Sequence, residues 1–230
     1  MLSSLRYFAA PLIACIIMLS ALNASADSPP PEMDPAAADA LAQVVARNSS
    51  LHDFTFDVNA HIALLTFPWI RFSLSGHGQY TKDGAYTIHF DNVPWFGKGF
   101  ENMSMSSLDP KTWPDAYTIT MAPPKGDSTV LSLHDKKHTS LDETLVTIDR
   151  DQTVREILWN YAKGGHVRLT ITPVTISGYD LPQAEMADIA VHGYHATAEA
   201  TFSNYRVNSV PSAAPQMIPS AVSGQTHRRS

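Results

Sequence analysis

From Asp53 onward the chain alternates between apolar and polar positions. In DFTFDVNAHIALL, Phe54, Phe56, Val58, Ala60, Ile62 and Leu64 fall on one side of an extended backbone. Thr55, Asp57, Asn59 and His61 fall on the other. A period of two is the signature of a strand with one wet face. WIRFSLSGHGQY repeats it, with Ile70, Phe72 and Leu74 against Arg71, Ser73 and Ser75, and Phe67-Pro68 marks the turn between. Strand signals resume in AYTITMA, STVLSLHD, ETLVTIDR, TVREILWNYA, HVRLTITPVTI, ADIAVHGY and ATAEATFSNYRV. Turn residues separate them at Pro123 to Asp127, Asp149 to Gln152, Gly164-Gly165, Gly178 and Gly193. Ahead of the strands, DPAAADALAQVVARNSS reads as a helix. Asp34 can cap it, Pro35 suits its first turn, and Ala37, Leu41, Val44 and Val45 form one apolar stripe. The predicted fold is α+β: one large curved antiparallel sheet, a half-barrel of about ten strands, covered by the N-terminal helix and a lid.

The hairpin GHGQYTKDGAYTIHF turns at Lys82-Asp83-Gly84. A two-residue Asp-Gly loop would pair Tyr80 with Thr87 and mix the two faces. A three-residue loop with Gly84 left-handed pairs Tyr80 with Tyr86 instead, and keeps the faces apart. That register sets Gly78 opposite Ile88, Gly76 opposite Phe90 and His77 opposite His89. Glycines placed so make room for large neighbours, for a ligand or for a bent strand.

NVPWFGKGFENMSMSSLDPKTWP breaks the periodicity. Its Trp95, Phe96, Phe100, Met103, Met105 and Trp113 suit either a lid over an apolar cavity or a short helix capping the core. In the last strand Tyr194, Ala196, Ala198, Ala200 and Phe202 share a face. Alanines on an inner face leave space, which points to a hydrophobic groove unless an aromatic such as Trp159 or Tyr161 fills it.

The N-terminus reads as a signal peptide over residues 1–26. Arg6 precedes an apolar run from Tyr7 to Leu22, and Ala24 and Ala26 fit the cleavage-site positions, so cleavage is expected after Ala26. An uncleaved membrane anchor is the alternative; the run is short for a spanning helix. Cys15 is the only cysteine, and the apolar core continues past it, which argues against lipidation there. The mature chain then has no disulfide and no thiolate chemistry. Residues 27–33 read as a linker, 34–208 as the folded domain, and 209–230, rich in Pro, Ser and Ala, as a disordered tail. The chain is 44% hydrophobic with a net charge of −6, which suits a packed globular domain and speaks against nucleic acid as a partner.

The sequence lacks a Gly-x-Ser-x-Gly elbow, a His-Glu-x-x-His pair, a phosphate loop and a dinucleotide fingerprint. His77, His89 and His61 share a predicted polar face, but two cross-strand histidines are too few for a zinc site. A solvated face is the plainer reading, and the same holds for His192 and His195 in HGYH. Asp149 and Asp151 flank a turn, where carboxylates serve the backbone. No catalytic residue, metal or cofactor is expected.

Four stretches in order resemble the LolA/LolB-like family of bacterial envelope proteins. They are a helix running into NSSLHDFTFDV, the GHGQY strand with its hairpin, VTIDRDQTVREILWNYAKGGHVRLTI, and YDLPQAEMADIAVHGYHATAEATFSNYRVN. The family's arginine tied to lid closure has no counterpart at Lys82-Asp83-Gly84. The resemblance implies a periplasmic, non-catalytic carrier or binder of lipid, lipoprotein acyl chains or another apolar ligand, with transient membrane contact and a monomeric state. The alternative is an envelope sensor or scaffold that binds a protein partner with the same fold. The candidate groove lining is Phe54, Phe56, Ile70, Phe72, Tyr86, Ile88, Phe90, Trp95, Phe96, Ala196 and Ala198.

Overall fold

The computed structural model describes residues 33–208 apart from 68–69, 83–85, 96–97, 99–100, 106–107, 138–140 and 192. Residues 1–32 with Cys15, residues 209–230, the turn residues Asp83 and Gly84, and the candidates Phe96 and His192 lie outside the described residues.

Helix α1 spans Pro35–Arg47, and the Asp34 side chain caps it by accepting from the Ala36 amide at 3.1 Å. Eleven strands follow: β1 (Asp53–Leu64), β2 (Arg71–Thr81), β3 (Tyr86–Phe90), β4 (Asn102–Met105), β5 (Tyr117–Lys125), β6 (Ser128–Asp135), β7 (Leu141–Ile148), β8 (Val154–Tyr161), β9 (His166–Ile176), β10 (Tyr179–Val191) and β11 (Tyr194–Val207). They form one open, curved antiparallel sheet in the order β4-β3-β2-β1-β11-β10-β9-β8-β7-β6-β5. The chain's first and last strands therefore pair at the middle of the sheet, and its edges are β4 and β5. Prolines 123 and 124 sit on the β5 edge, where the ladder shifts register between Ala122 and Lys125. An edge strand tolerates their missing amides. The β5 edge is also shielded: α1 packs on it, and the Asp34 amide donates to the Ile119 carbonyl.

The hairpin takes the register with separated faces: Gly76 faces Phe90, His77 faces His89 and Gly78 faces Ile88. β4 was not expected. It pairs Tyr86 with Met105 and His89 with Asn102 from within the segment that breaks periodicity. Further along that segment a 3-10 turn (Pro110–Thr112) leads into a short helix, α2 (Trp113–Ala116).

The two larger apolar clusters lie on the concave face. Ala37, Leu41 and Val44 of α1 pack with Trp113, Ile119, Leu131, Leu133, Val146, Ile148 and Ile157. A second cluster gathers Phe54, Phe56, Val58, Leu74, Ile88, Phe90, Leu181 and Phe202. Within the sheet interior the Thr144 hydroxyl is buried and meets no hydrogen-bond partner among the described residues. An orphaned hydroxyl keeps its desolvation cost without compensation. Thr144→Val is therefore expected to raise stability by about 1 kcal/mol, read as a higher urea midpoint with an unchanged slope. A lower midpoint would show that the hydroxyl is satisfied.

Candidate functional site

Residues of both clusters line one hollow. Between them runs a groove of about 250 Å³, slightly under the ~300–1,000 Å³ usual for small-ligand sites. Val44, Val45 and Leu51 line it from the C-terminal end of α1 and the turn beyond. Phe54, Tyr80 and Tyr86 form an aromatic wall. Val154, Ile157, Ile171, Pro173, Leu181 and Pro182 line it from β8, β9 and β10. Residues 108–113 lie along the rim, so the non-periodic segment does both things its sequence allowed. Leu108 to Thr112 face the groove, and Trp113, 2% exposed, anchors the first core cluster.

Polar contacts fix the walls. Arg47 pairs with Asp180 at 2.5 Å, and Asn48 makes two bonds with the Asp180 main chain, at 2.9 and 3.1 Å. Thr153 and Thr175 donate to the same carboxylate. Burial pushes Asp180 up, but Arg47, Thr175 and Thr153 outweigh it and hold the carboxyl below its usual range. Together these bonds tie the end of α1 to the β9–β10 turn. Across the groove Tyr80 donates to Asp109 at 3.2 Å, and Asp109 also accepts from the Lys111 amide. That bond holds the rim segment against β2.

One wall residue is unlike the rest. Glu185 lies on β10 between Ala200 of β11 and Ile171 of β9, and its side chain lines the groove. Its neighbours two and four residues on, Ala187 and Ile189, pack into the apolar clusters, whereas Met186 points outward and is 55% exposed. Glu185 thus stands in the inward phase of its strand. Burial alone pushes its carboxyl up to about 7, and among the described residues no hydrogen bond or ion pair reaches it. Its charge in turn contributes, after burial, to raising the Tyr86 and Tyr205 hydroxyls. The Tyr205 hydroxyl is occupied, donating to the Pro182 carbonyl at 2.5 Å.

The candidates named from sequence divide. Phe54 and Tyr86 line the groove. Phe56, Ile88 and Phe90 are buried in the second cluster, with Phe72 packed against it. The rings of Phe54, Phe56, Tyr80, Tyr86, Phe202 and Tyr205 contact one another at centroid distances from 5.2 to 6.1 Å. Ala198 sits at the margin of that cluster. Ala196, 1% exposed, packs with Ile189 and Val191, and Tyr161 packs against the same cluster. Ile70 is half-buried ahead of β2, and Trp95 is 61% exposed. Glu185, Asp180 and the rim at Asp109 were not singled out from the sequence.

On the convex face histidines pair with carboxylates. His77 bonds Asp57 at 2.7 Å, which raises His77; Asp57, bonded also by Asn204, is lowered. His89 meets Asn102, and His195 bonds Asp188 at 2.7 Å. Among the described residues no three His, Cys, Asp or Glu side chains are placed to hold a metal ion. No helix among the described residues is long and apolar enough to cross a membrane.

By sequence, the chain matches no family model and no curated protein. By structure it is similar to a LolA superfamily protein from Nitrosomonas europaea, with a TM-score of 0.57, 10% identity, and coverage of 76% of this chain and 94% of that one. A crystal structure of an outer membrane lipoprotein-sorting protein domain from Vibrio parahaemolyticus superposes with a TM-score of 0.56, 10% identity, and 75% and 94% coverage. A DUF1329 family protein from Desulfovibrio piger gives a TM-score of 0.54, 12% identity, and 76% and 94% coverage. At these identities the likeness is one of architecture: the chain has a LolA-like fold.

Proposed function

We propose that residues 34–208 form a non-catalytic binder or carrier that holds a lipid, an acyl chain of a lipoprotein or another apolar ligand in the groove beside α1. The signal-like N-terminus supports an envelope setting, with the periplasm as the working compartment and transient contact with a membrane or acylated partner. The observation that carries the reading is the groove itself: an apolar and aromatic hollow between two packed clusters on the concave face. The structural likeness to the Vibrio lipoprotein-sorting domain supports it. Burial supplies the affinity, since each methylene moved out of water contributes roughly 0.8 kcal/mol.

Protein exported to a bacterial periplasm, purified without detergent and extracted with organic solvent, is expected to release a lipid identified by mass spectrometry. Ile171→Trp, which fills the groove from β9, is expected to weaken uptake of an uncharged fluorescent fatty-chain dye by at least about tenfold while circular dichroism stays native. Undiminished uptake in a folded variant would place the ligand elsewhere and overturn the assignment of this groove.

A further inference from the structure

Glu185 is a charged group where an apolar ligand alone would need none. Its carboxylate lines the groove from a half-buried position on the inward phase of β10, and has no hydrogen-bonding or ionic partner among the described residues. The other charged groups of the groove are already engaged or point along its rim. Arg47 and Asp180 neutralise each other, and Asp109 holds Tyr80 and the Lys111 amide. Lys111 lies in the rim segment and its side chain is exposed. A carboxylate lining an apolar hollow with no counter-ion is costly to keep ionised and is compensated best by a cation brought in from outside. The wall beside it is aromatic: Phe54, Tyr80 and Tyr86 line the same hollow. Aromatic faces next to a carboxylate are the usual surroundings of a bound ammonium group.

We infer that the groove takes an amphiphile with a cationic head, an ammonium group on an apolar chain, whose nitrogen pairs with Glu185 beside the Tyr86 and Tyr80 rings while the chain lies against Ile171, Leu181 and Val154. The inference rests on the groove-binding reading and narrows its ligand class. It departs from a plain fatty acid, whose carboxylate would be repelled by Glu185.

The test uses the full mature chain and three ten-carbon probes that share a tail: decylamine, decanol and decanoate. Each is titrated as a competitor against a groove-bound fluorescent fatty-chain dye at pH 8, where Glu185 is ionised. Decylamine is expected to compete at least about tenfold better than decanol, and decanoate worse than either. Glu185→Gln should abolish the preference for the amine over decanol. In the wild type the amine should also weaken from pH 8 to pH 5.5, because it must displace a proton from Glu185; Glu185→Gln should show no such fall. Equal competition by amine and alcohol, or a preference that survives in Glu185→Gln, overturns the cation assignment alone. Failure of the dye and of all three probes to bind the wild type overturns the groove-binding reading beneath it.

Discussion

Gly76→Ala and Gly78→Ala are each expected to destabilise the protein by about 3 kcal/mol, toward the upper end for overpacked interiors. The reasons differ, and the difference can be measured. A Cβ on Gly78 would lie 1.9 Å from the tip of the Phe56 ring. That ring is 2% exposed and wedged among Tyr86, Phe202 and Tyr205. It has no free direction in which to swing. A Cβ on Gly76 would instead lie 2.1 Å from the His89 carbonyl oxygen and 2.8 Å from the Phe90 Cα, so the β2–β3 ladder itself must move. Shrinking the ring should therefore rescue one variant and not the other. In urea unfolding, Phe56→Leu combined with Gly78→Ala should cost at least 1 kcal/mol less than the two single changes added together, a coupling of the size seen between residues in contact. Combined with Gly76→Ala the costs should simply add. Additivity in both pairs would mean that the Gly78 site relaxes through the backbone.

These glycines show how far the sequence could be read. Alternation in β1, β2 and β11 is clean, so strand faces and the hairpin register followed from it, including Gly78 against Ile88 and His77 against His89. What the glycines make room for did not follow. Ring, ligand and bent strand all leave the same letter in the chain, and only the packed structure puts Phe56 there. β4 was illegible because its four residues sit among glycines, prolines and aromatics that mask a short edge strand. The alanines of β11 suggest space or a gap filled by an aromatic; Ala196 packs in a small cluster with Ile189 and Val191, while the groove is lined from α1, β8, β9 and β10. Nearness of α1 and the 108–113 rim depends on distant pairing, which no local pattern carries. Glu185 is a different matter, because its signal was present. In QAEMADIAV the inward phase set by Ala187, Ile189 and Val191 runs back to Glu185, and the outward phase falls on Met186. A charged residue and an apolar one have exchanged the faces that burial alone would give them, and such a local conflict marks a functional position more often than an error of folding.

That exchange has a cost in stability, and its pH dependence gives the second large expected effect. Burial raises Glu185 in the folded protein from 4.5 to about 7. Below the unfolded value both states hold the proton and the group is neutral to folding. Between the two values the unfolded chain releases the proton while the folded one keeps it, so stability falls as pH rises. Above the folded value the loss is complete, about 3 kcal/mol in size. Glutamine keeps the shape and never ionises. Glu185→Gln should therefore match the wild type near pH 4.5 and exceed it by up to about 3 kcal/mol at pH 8. The lowered carboxyls, Asp57, Asp149, Asp180 and Asp188, act in the opposite direction and lose stability as pH falls. They are common to both proteins, so they drop out of the difference. Urea midpoints of the pair at pH 5, 6, 7 and 8 would trace the divergence, and parallel curves would mean that the carboxylate is well solvated. A protein that carries such a penalty at neutral pH is stabilised most by a ligand that removes it. Decylamine should thus raise the wild-type midpoint at pH 8 more than that of Glu185→Gln, since a ligand stabilises only in proportion to its affinity for the folded state.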